Sequence, residues 1–284
     1  MTANLQAGDK AAVLVEALPY IRRFSGQVVV VKYGGNAMSD DLTLFAEDVA
    51  LLHTVGIKVV VVHGGGPQIA AMLTRLGIES KFVDGLRVTD AETLDVVRMV
   101  LVGKVNRDIV GAMNVHGPIA VGVSGEDASL LTVKPHSEEH GFVGNVSEVR
   151  TGVIDRLLAQ DLVPVVATIG VDDDGQSYNI NADTAAGAIA DALGATKLVY
   201  LTDIEGIRRD VSDESTLIST ITADELQGLI TDGTVTEGMI PKVASCVDAV
   251  KGGVGHAHIL DGRVPHALLL EIFTNKGIGT MVTA

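Results

Sequence analysis

The chain has 284 residues, 47% of them hydrophobic, which is enough for one large domain or two small ones around a sizeable core. Lys and Arg total 21 against 36 Asp and Glu, and this net charge of −15 argues against nucleic acid as a partner. With no apolar stretch of membrane-spanning length, no convincing signal peptide and a single cysteine, Cys246, we expect a soluble, cytoplasmic protein without a membrane partner.

Short valine-rich runs alternate with longer segments of helical periodicity along the chain. The runs predict strands that are buried on both faces, at 28–31, 59–62, 119–123, 162–167 and 198–201. The periodic segments predict helices at 39–55, 67–76, 90–114, 151–159, 181–193 and 239–251. This alternation is typical of an α/β fold, a three-layer αβα sandwich with a mainly parallel central sheet.

Local signals refine this prediction. The segment 39–41 and the pair Thr89 and Asp90 look like helix caps, and the stretch 130–149 breaks the alternation and predicts hairpins. Gly194 separates a helix from a strand, so we predict two lobes, 1–194 and 195–284.

Two of the predicted strands run into glycine turns that are followed by helices. The segment 28–36 (Val-Val-Val-Val-Lys-Tyr-Gly-Gly-Asn) resembles 59–67 (Val-Val-Val-Val-His-Gly-Gly-Gly-Pro). Each turn alone could be an ordinary tight turn, but two at strand ends, with Lys32 beside the first, favour phosphate binding. The patterns G-x-x-x-x-G-K-[S/T] and G-x-G-x-x-G after a strand are absent, which disfavours a Walker-type hydrolase and a standard dinucleotide enzyme.

Four further charged residues are candidates for a functional site, and two of them, Arg87 and Lys242, suggest an anionic ligand. Arg87 is flanked by apolar residues, and its guanidinium suits a carboxylate. Lys242 begins a predicted helix, where the helix dipole disfavours a cation, although simple solvent exposure would also explain it. Asp183 opens another helix and Asp203 follows a strand; each could instead be only a cap or a turn residue.

The histidines give weaker signals. The segment 136–140 matches H-x-x-E-H of zinc peptidases, but Pro135 and Gly141 leave no room for the helix that such a site needs. We therefore predict a solvated loop and no metal site. His256 and His258 share one face of a likely strand, which favours packing or an effector contact.

Six segments together resemble the amino acid kinase family, in that family's order. They are Val-Lys-Tyr-Gly-Gly-Asn-Ala (31–37), Val-His-Gly-Gly-Gly-Pro (62–67), Gly-Leu-Arg-Val-Thr (85–89), Asn-Ile-Asn-Ala-Asp (179–183), Leu-Thr-Asp-Ile-Glu-Gly (201–206) and Gly-Met-Ile-Pro-Lys (238–242). The segment around Arg87 is similar to the branch that phosphorylates N-acetyl-L-glutamate.

The resemblance implies the amino acid kinase fold and ATP-dependent phosphorylation of the side-chain carboxylate of N-acetyl-L-glutamate in arginine biosynthesis. It assigns catalysis to Lys32, Lys242 and Asp183, and substrate binding to Gly65, Gly66, Arg87 and Asn179. It assigns ATP binding to Gly34, Gly35, Asp203, Ile204, Gly206 and Met239. Mg²⁺ would be held mainly by the ATP phosphates, without dedicated protein ligands.

A second resemblance concerns regulation. The segment 256–280 is similar to the C-terminal signature of members inhibited by L-arginine, which implies an effector site that includes Glu271, Gly277 and Gly279. Such members carry an extra N-terminal helix, which 9–24 could supply, and they form hexamers that are trimers of dimers. That helix could instead pack on its own domain.

Two alternatives stay open at this stage. The chain could phosphorylate another amino acid within the same family, or it could be a non-catalytic arginine sensor on the kinase scaffold.

Overall fold

The computed structural model describes residues 6–35, 42–210, 213–235, 239–274 and 277–284. Within these ranges the strands are β1 (Val28–Tyr33), β2 (Lys58–His63), β3 (Phe82–Val83), β4 (Leu86–Arg87), β5 (Ala120–Ser124), β6 (Leu131–Pro135), β7 (Val143–Val149), β8 (Val163–Ala167), β9 (Ile169–Val171), β10 (Ser177–Ile180), β11 (Lys197–Thr202), β12 (Thr220–Thr222), β13 (His256–Asp261) and β14 (Thr280–Thr283). The α-helices are α1 (Ala7–Phe24), α2 (Leu42–Thr54), α3 (Gly66–Leu76), α4 (Ala91–Arg98), α5 (Asn106–Asn114), α6 (Gly152–Ala159), α7 (Ala182–Ala192), α8 (Ala223–Thr231), α9 (Ile240–Gly252) and α10 (Ala267–Phe273).

A central sheet of eight strands has the order β12-β14-β13-β11-β1-β2-β8-β5. The six strands from β13 to β5 run parallel, and β14 runs antiparallel to β13. The five predicted strands are confirmed as β1, β2, β5, β8 and β11. Their continuous valine runs suit strands that have helices on both faces.

Two hydrophobic cores lie on opposite faces of this sheet. Val30 of β1 belongs to a core with residues of α7 and α9, whereas its neighbours Val29 and Val31 belong to a core with residues of α2, α3 and α10. Successive side chains of a strand point to opposite faces, so one valine run supplies both cores. The predicted three-layer αβα sandwich is confirmed.

The helix predicted over 90–114 is interrupted. Asp90 caps α4 by accepting a hydrogen bond from the Thr93 amide at 2.8 Å, as predicted. A π-helical turn then spans Met99–Val105 and joins α4 to α5. The cap predicted at 39–41 lies outside the described residues, as do Asn36, Ala37 and Gly238 of the family segments.

The hairpin region forms a second sheet, in which β6, β7, β9 and β10 close into a ring. The antiparallel pairing of β6 with β7 confirms the predicted hairpin within 130–149. The prediction that 136–140 is a solvated loop was wrong for His140, which is buried. The His140 ring lies 2.7 Å from the Ser137 hydroxyl and 3.3 Å from the Val83 carbonyl, so this loop packs against the β3–β4 hairpin.

The central sheet continues across Gly194, because β1 pairs with β11 over five residue pairs. The division into lobes at that glycine stays a prediction.

The predicted N-terminal helix is present as α1, and its side chains Val13, Leu14, Val15 and Leu18 are exposed. No helix in the described part of the chain combines the length and the apolar character that crossing a membrane requires.

Candidate active site

Parallel strands bring their carboxyl ends to one edge of the sheet, and both glycine turns lie there. A Cβ atom on Gly34 would stand 3.0 Å from the Lys32 ammonium, and one on Gly64 would stand 3.2 Å from the Cβ of Ala182. A side chain at either position would crowd its neighbour, which is Lys32 at the first turn and the start of α7 at the second.

Three charged side chains from β1, α7 and α9 meet beside these turns. The Lys32 ammonium lies 2.9 Å from one carboxylate oxygen of Asp183, and the Lys242 ammonium lies 2.8 Å from the other. Both lysines are only 7% exposed. This arrangement agrees with the roles that the family resemblance implied for the three residues.

The electrostatics of the cluster follow from its burial and its charges. Burial opposes ionisation of Asp183, but the charges and hydrogen bonds of Lys32 and Lys242 outweigh it and lower the pKa of Asp183 to about 2. Burial also lowers the pKa of Lys32, against the attraction of Asp183. The cluster joins two lysines to one carboxylate, and this arrangement favours an anionic ligand.

A buried hydrogen-bond network fixes the first turn of α7. The Asn181 side chain accepts from the Asp183 amide at 2.9 Å. The Asp183 carbonyl accepts from the Tyr200 hydroxyl at 3.2 Å and from the Ser245 hydroxyl at 2.8 Å. Tyr200 and Ser245 were missed by sequence reasoning. The available signal for Ser245 was its spacing, about one helical turn after Lys242 on α9.

Next to the cluster lies a cavity of about 210 Å³. It brings together Lys32 and Asp183 with all four predicted substrate-binding residues, Gly65, Gly66, Arg87 and Asn179. Gly35, which was predicted to bind ATP, also lines this cavity.

Arg87 is nearly buried, with 8% of its surface exposed. Its guanidinium donates to the Ser80 hydroxyl and, at 3.2 Å, to the Gly66 carbonyl, and it lies 4.7 Å from the centre of the Phe82 ring. Among the described residues, no carboxylate forms an ion pair with Arg87. Its charge is therefore available to a bound anion.

A second cavity, of about 430 Å³, lies beyond the ends of β11 and β13. Its lining includes the predicted ATP-binding residues Asp203, Ile204, Gly206 and Met239. Arg263, which sequence reasoning did not assign to this site, also lines the cavity, and its guanidinium is paired with the Asp261 carboxylate at 2.7 Å. Asp203 lies near enough to Lys32 for its charge to act on that lysine, so this cavity and the first are neighbours.

A third cavity, of about 700 Å³, separates the end of α1 from the C-terminal segment. The three predicted effector residues Glu271, Gly277 and Gly279 all line it, together with Tyr20 and Arg23 of α1. Gly277 has a φ of 58°, and a Cβ atom there would overlap the Glu271 carboxylate, so glycine suits this position.

The polar groups of this third cavity are linked in a chain. Glu271 lies 2.7 Å from one ring nitrogen of His258, and the Lys197 ammonium lies 2.8 Å from the other. Burial lowers the pKa of Lys197 to about 8, although the charge of Glu271 opposes this shift. Lys197 was missed by sequence reasoning, which predicted the strand only over 198–201, whereas β11 begins at Lys197. The side chain of His258 is buried, in agreement with the packing or effector contact predicted for it.

The mainly parallel sheet, with glycine turns and a lysine–aspartate–lysine cluster at one edge, has the features of a phosphotransferase. The model of the Amino acid kinase family matches residues 27–261, and the chain belongs to that family. Curated relatives are named acetylglutamate kinase. The one from Heliobacterium modesticaldum is 53% identical, with 98% of this chain and 99% of the relative covered. The one from Acidothermus cellulolyticus is 57% identical, with 96% of each covered.

Solved structures give the same picture of the fold. N-acetylglutamate synthase from Neisseria gonorrhoeae, complexed with coenzyme A and N-acetyl-glutamate, is 28% identical with a TM-score of 0.85, covering 96% of this chain. The match spans only 63% of the synthase. Carbamate kinase from Giardia lamblia bound to AMP-PNP is 20% identical with a TM-score of 0.70, covering 91% of this chain and 98% of the kinase, and shares the fold.

Proposed function

We propose that the chain transfers the γ-phosphoryl group of ATP to the side-chain carboxylate of N-acetyl-L-glutamate, as a step of arginine biosynthesis. The observation that carries this proposal is Arg87, a nearly buried guanidinium that has no acidic partner among the described residues and shares a cavity with Lys32 and Asp183. A bidentate contact with the α-carboxylate of the substrate would satisfy it. The names of the curated relatives support the same substrate.

In this reaction a side-chain carboxylate oxygen attacks the γ-phosphorus, and the bond from that phosphorus to the bridging oxygen of ADP breaks. The products are N-acetyl-L-glutamyl 5-phosphate and ADP. A carboxylate is already ionised at pH 7, so the attack needs no general base. Catalysis then consists of positioning and of stabilising negative charge.

The cluster suits these requirements. We assign Lys32 to the substrate side of the transferred group and Lys242 to the nucleotide side, where charge develops on the leaving oxygen. Asp183 holds both ammonium groups in place through its two oxygens. The amides of Gly65 and Gly66 are assigned to the attacking end of the substrate, and Asn179 to its acetamido or α-carboxylate end.

ATP is assigned to the second cavity, bordered by Asp203, Ile204, Gly206 and Met239. The amides of Gly34 and Gly35 would face its phosphates. Mg²⁺ binds oxygen ligands, several of which are water molecules and substrate phosphates, so it would arrive bound to ATP. The chemistry it supplies is neutralisation of phosphate charge.

A colorimetric assay with hydroxylamine tests the proposal. Hydroxylamine converts an acyl phosphate into a hydroxamate, and the hydroxamate forms a coloured complex when iron(III) is added. The chain is incubated with ATP, Mg²⁺ and either N-acetyl-L-glutamate, L-glutamate or L-aspartate. We expect product with the acetylated substrate and at least a hundredfold less with the other two, because a site built around the acetamido group discriminates strongly. Preference for a free amino acid would favour another branch of the family, and no product with any acceptor would favour a non-catalytic sensor.

We also propose that L-arginine inhibits the enzyme from the third cavity. Glu271 offers a carboxylate to the guanidinium of arginine, and Arg23 and Lys197 offer cations to its carboxylate.

The exposed apolar side chains of α1 favour pairing of that helix with a second copy, and so a hexamer built as a trimer of dimers. A cytoplasmic location suits an enzyme that uses ATP and has a single, buried cysteine.

Removal of residues 1–24 tests both regulatory proposals. The shortened enzyme should keep its activity, because Lys32 and the glycine turns lie beyond the deletion. It should lose arginine inhibition and sediment as a dimer instead of a hexamer. Full-length enzyme that is insensitive to millimolar arginine, or a shortened dimer that is inhibited as strongly as the parent, would exclude this mode of regulation.

A further inference from the structure

His63, the last residue of β2, is completely buried directly before the second glycine turn, and the mechanism above gives it no role. One nitrogen of its ring, Nδ1, lies 2.9 Å from the Gly64 carbonyl oxygen. The other, Nε2, lies 3.1 Å from the side-chain amide nitrogen of Asn106. A buried imidazole with both nitrogens engaged is held in one orientation.

The Asn106 side chain determines which nitrogen of His63 carries the proton. Its amide nitrogen also donates to the Val165 carbonyl at 2.8 Å, and its oxygen accepts from the Arg107 guanidinium. Turning the amide over would place its oxygen against the Val165 carbonyl, so the nitrogen must face His63. Nε2 of His63 is therefore the acceptor, and Nδ1 carries the proton and donates to Gly64.

The neutral state of His63 agrees with this geometry. Burial, assisted by the charge of Arg107, lowers the pKa of His63 to about 4, although the hydrogen bond to the Gly64 carbonyl acts in the opposite direction. The imidazole is thus neutral at pH 7.

The direction of the Gly64 carbonyl fixes the direction of the next amide. The peptide bond is planar and trans, so the N–H of Gly65 points opposite to the C=O of Gly64. Because that carbonyl faces the buried imidazole, the Gly65 N–H faces away from it, on the side where Gly65 lines the cavity of Lys32 and Arg87.

The π-helical turn packs closely against Gly65. A Cβ atom on Gly65 would lie 2.8 Å from Leu101 and 3.2 Å from Val105, both of which belong to the turn. Asn106 follows the turn immediately. π-Helical turns are frequent at functional sites, and this one places an apolar wall and the side-chain amide of Asn106 behind one glycine.

We propose that His63 is a positioning residue for the phosphoryl transfer: held as the Nδ1–H tautomer by Asn106 and Arg107, it pins the Gly64 carbonyl and so aims the Gly65 amide at the reacting carboxylate. This inference rests on the proposed function for the identity of the acceptor. It requires nothing of the nucleotide cavity, whose lining includes none of these residues.

A spectroscopic test needs neither substrate nor a variant that folds. Long-range ¹H–¹⁵N correlation of ¹⁵N-histidine-labelled enzyme at pH 7 distinguishes protonated from unprotonated ring nitrogens. The signals that disappear in His63→Asn identify the residue; if that variant does not fold, the ring signals of ¹³C,¹⁵N-labelled wild type are assigned to His63 by correlation with its own backbone amide, which separates them from those of the equally buried His258. We expect a protonated Nδ1 and a bare Nε2, and the opposite tautomer or an imidazolium would overturn the proposal.

A kinetic test compares two variants of His63. The amide nitrogen of His63→Asn can replace Nδ1 as a donor to Gly64, whereas His63→Leu has a similar volume and no donor. For the leucine variant we expect kcat/KM for N-acetyl-L-glutamate to fall roughly ten- to a hundredfold, with the KM for ATP within about twofold. The asparagine variant should recover most of the loss. His116→Leu, at an exposed histidine, is the matched control.

The outcomes separate the two proposals. If His63 only maintained the fold, both variants would lose kcat in proportion to the unfolded fraction, with both KM values unchanged, and the positioning role would be overturned. If the wild-type enzyme shows the expected tautomer but forms no hydroxamate with N-acetyl-L-glutamate, the proposed function fails. The kinetic comparison then uses whichever acceptor is active, and equal losses in both variants would overturn the positioning role.

Discussion

Replacement of Asp183 by asparagine would remove the negative charge that links Lys32 and Lys242 while it keeps the shape of the side chain. The two ammonium groups, each within 3 Å of the carboxylate in the folded protein, would then face each other across a neutral amide. We expect Asp183→Asn to destabilise the protein and to abolish the alignment of both lysines.

The pKa of Asp183 sets the scale of this effect. It falls from 3.8 to about 2 on folding, and each unit is equivalent to about 1.4 kcal/mol, so the ionised carboxylate contributes about 2 to 3 kcal/mol at pH 7. Breaking a buried ion pair from one side costs about 3 to 5 kcal/mol, and loss of a proton by one lysine limits that cost. A lowering of the melting temperature by about 5 to 10 °C follows for a chain of this size.

Guanidinium unfolding of four proteins would measure the coupling: wild type, Asp183→Asn, Lys32→Met and the double variant. With Lys32 removed, Asp183→Asn leaves one unpaired cation instead of two, so it should cost less, and the interaction free energy should be about 1 to 3 kcal/mol. Asp191→Asn, at an exposed aspartate of the same helix, is the control.

The pH dependence gives an independent check. A carboxyl whose pKa is lowered in the folded state stabilises the protein above its unfolded pKa, and this contribution is lost as the pH falls through the folded pKa. The stability difference between wild type and Asp183→Asn should therefore be constant above about pH 5 and shrink towards pH 2. Additive effects of the two substitutions, or a difference that does not change between pH 5 and 2, would refute the reasoning.

Three further predictions concern single residues. Lys242→Ala should lower kcat by about 10²- to 10³-fold at saturating substrates and change the KM for N-acetyl-L-glutamate far less; a kcat within about threefold of wild type would contradict its assignment. Arg87→Lys keeps the charge but loses the two-pronged geometry, so the KM for N-acetyl-L-glutamate should rise about tenfold or more while that for ATP stays constant. A shift confined to ATP would place Arg87 in the nucleotide site. For His63, the folded pKa of about 4 lies below the ordinary 6.5, so its neutral form stabilises the protein above pH 6.5 and this contribution, about 3 kcal/mol, is lost between pH 6.5 and 4. Between pH 7 and pH 4 the denaturant midpoint should fall more for wild type than for His63→Asn. An equal fall for the two proteins would argue against a buried neutral imidazole.

Much of the fold and of the candidate site could be predicted from local sequence. The valine runs predicted the parallel strands, because burial on both faces removes the usual alternation of polar and apolar residues. Lys32 and Arg87 could be singled out because a charge within an apolar segment needs a partner. The pairing of Lys32 and Lys242 through Asp183 came from the family resemblance, since no local pattern links residues so far apart in the chain.

The remaining features depend on contacts between distant segments. The hydroxyls of Tyr200 and Ser245 reach the Asp183 carbonyl only after β11 and α9 have packed against α7. The π-helical turn is short, and over its seven residues the apolar periodicity does not differ from that of the flanking helices. The sequence pattern therefore does not reveal that a helical turn contains one extra residue. The burial of His140 depends on contact with the β3–β4 hairpin, and the sequence around His140 does not indicate that contact.

The position of β1 in the central sheet has a consequence for the synthesis of the protein. β1 pairs with β2 on one side, but its other edge waits for β11, whose last residue lies 169 positions after Tyr33. At 5 to 20 residues per second, a ribosome takes roughly 10 to 30 s to supply that strand. During this interval a nascent chain that contains the apolar β1 and β2 has an unpaired edge, which is the kind of surface that aggregates or recruits chaperones. Truncated chains that end before β11 should therefore be insoluble when they are released, whereas chains that extend through β14 can close the sheet.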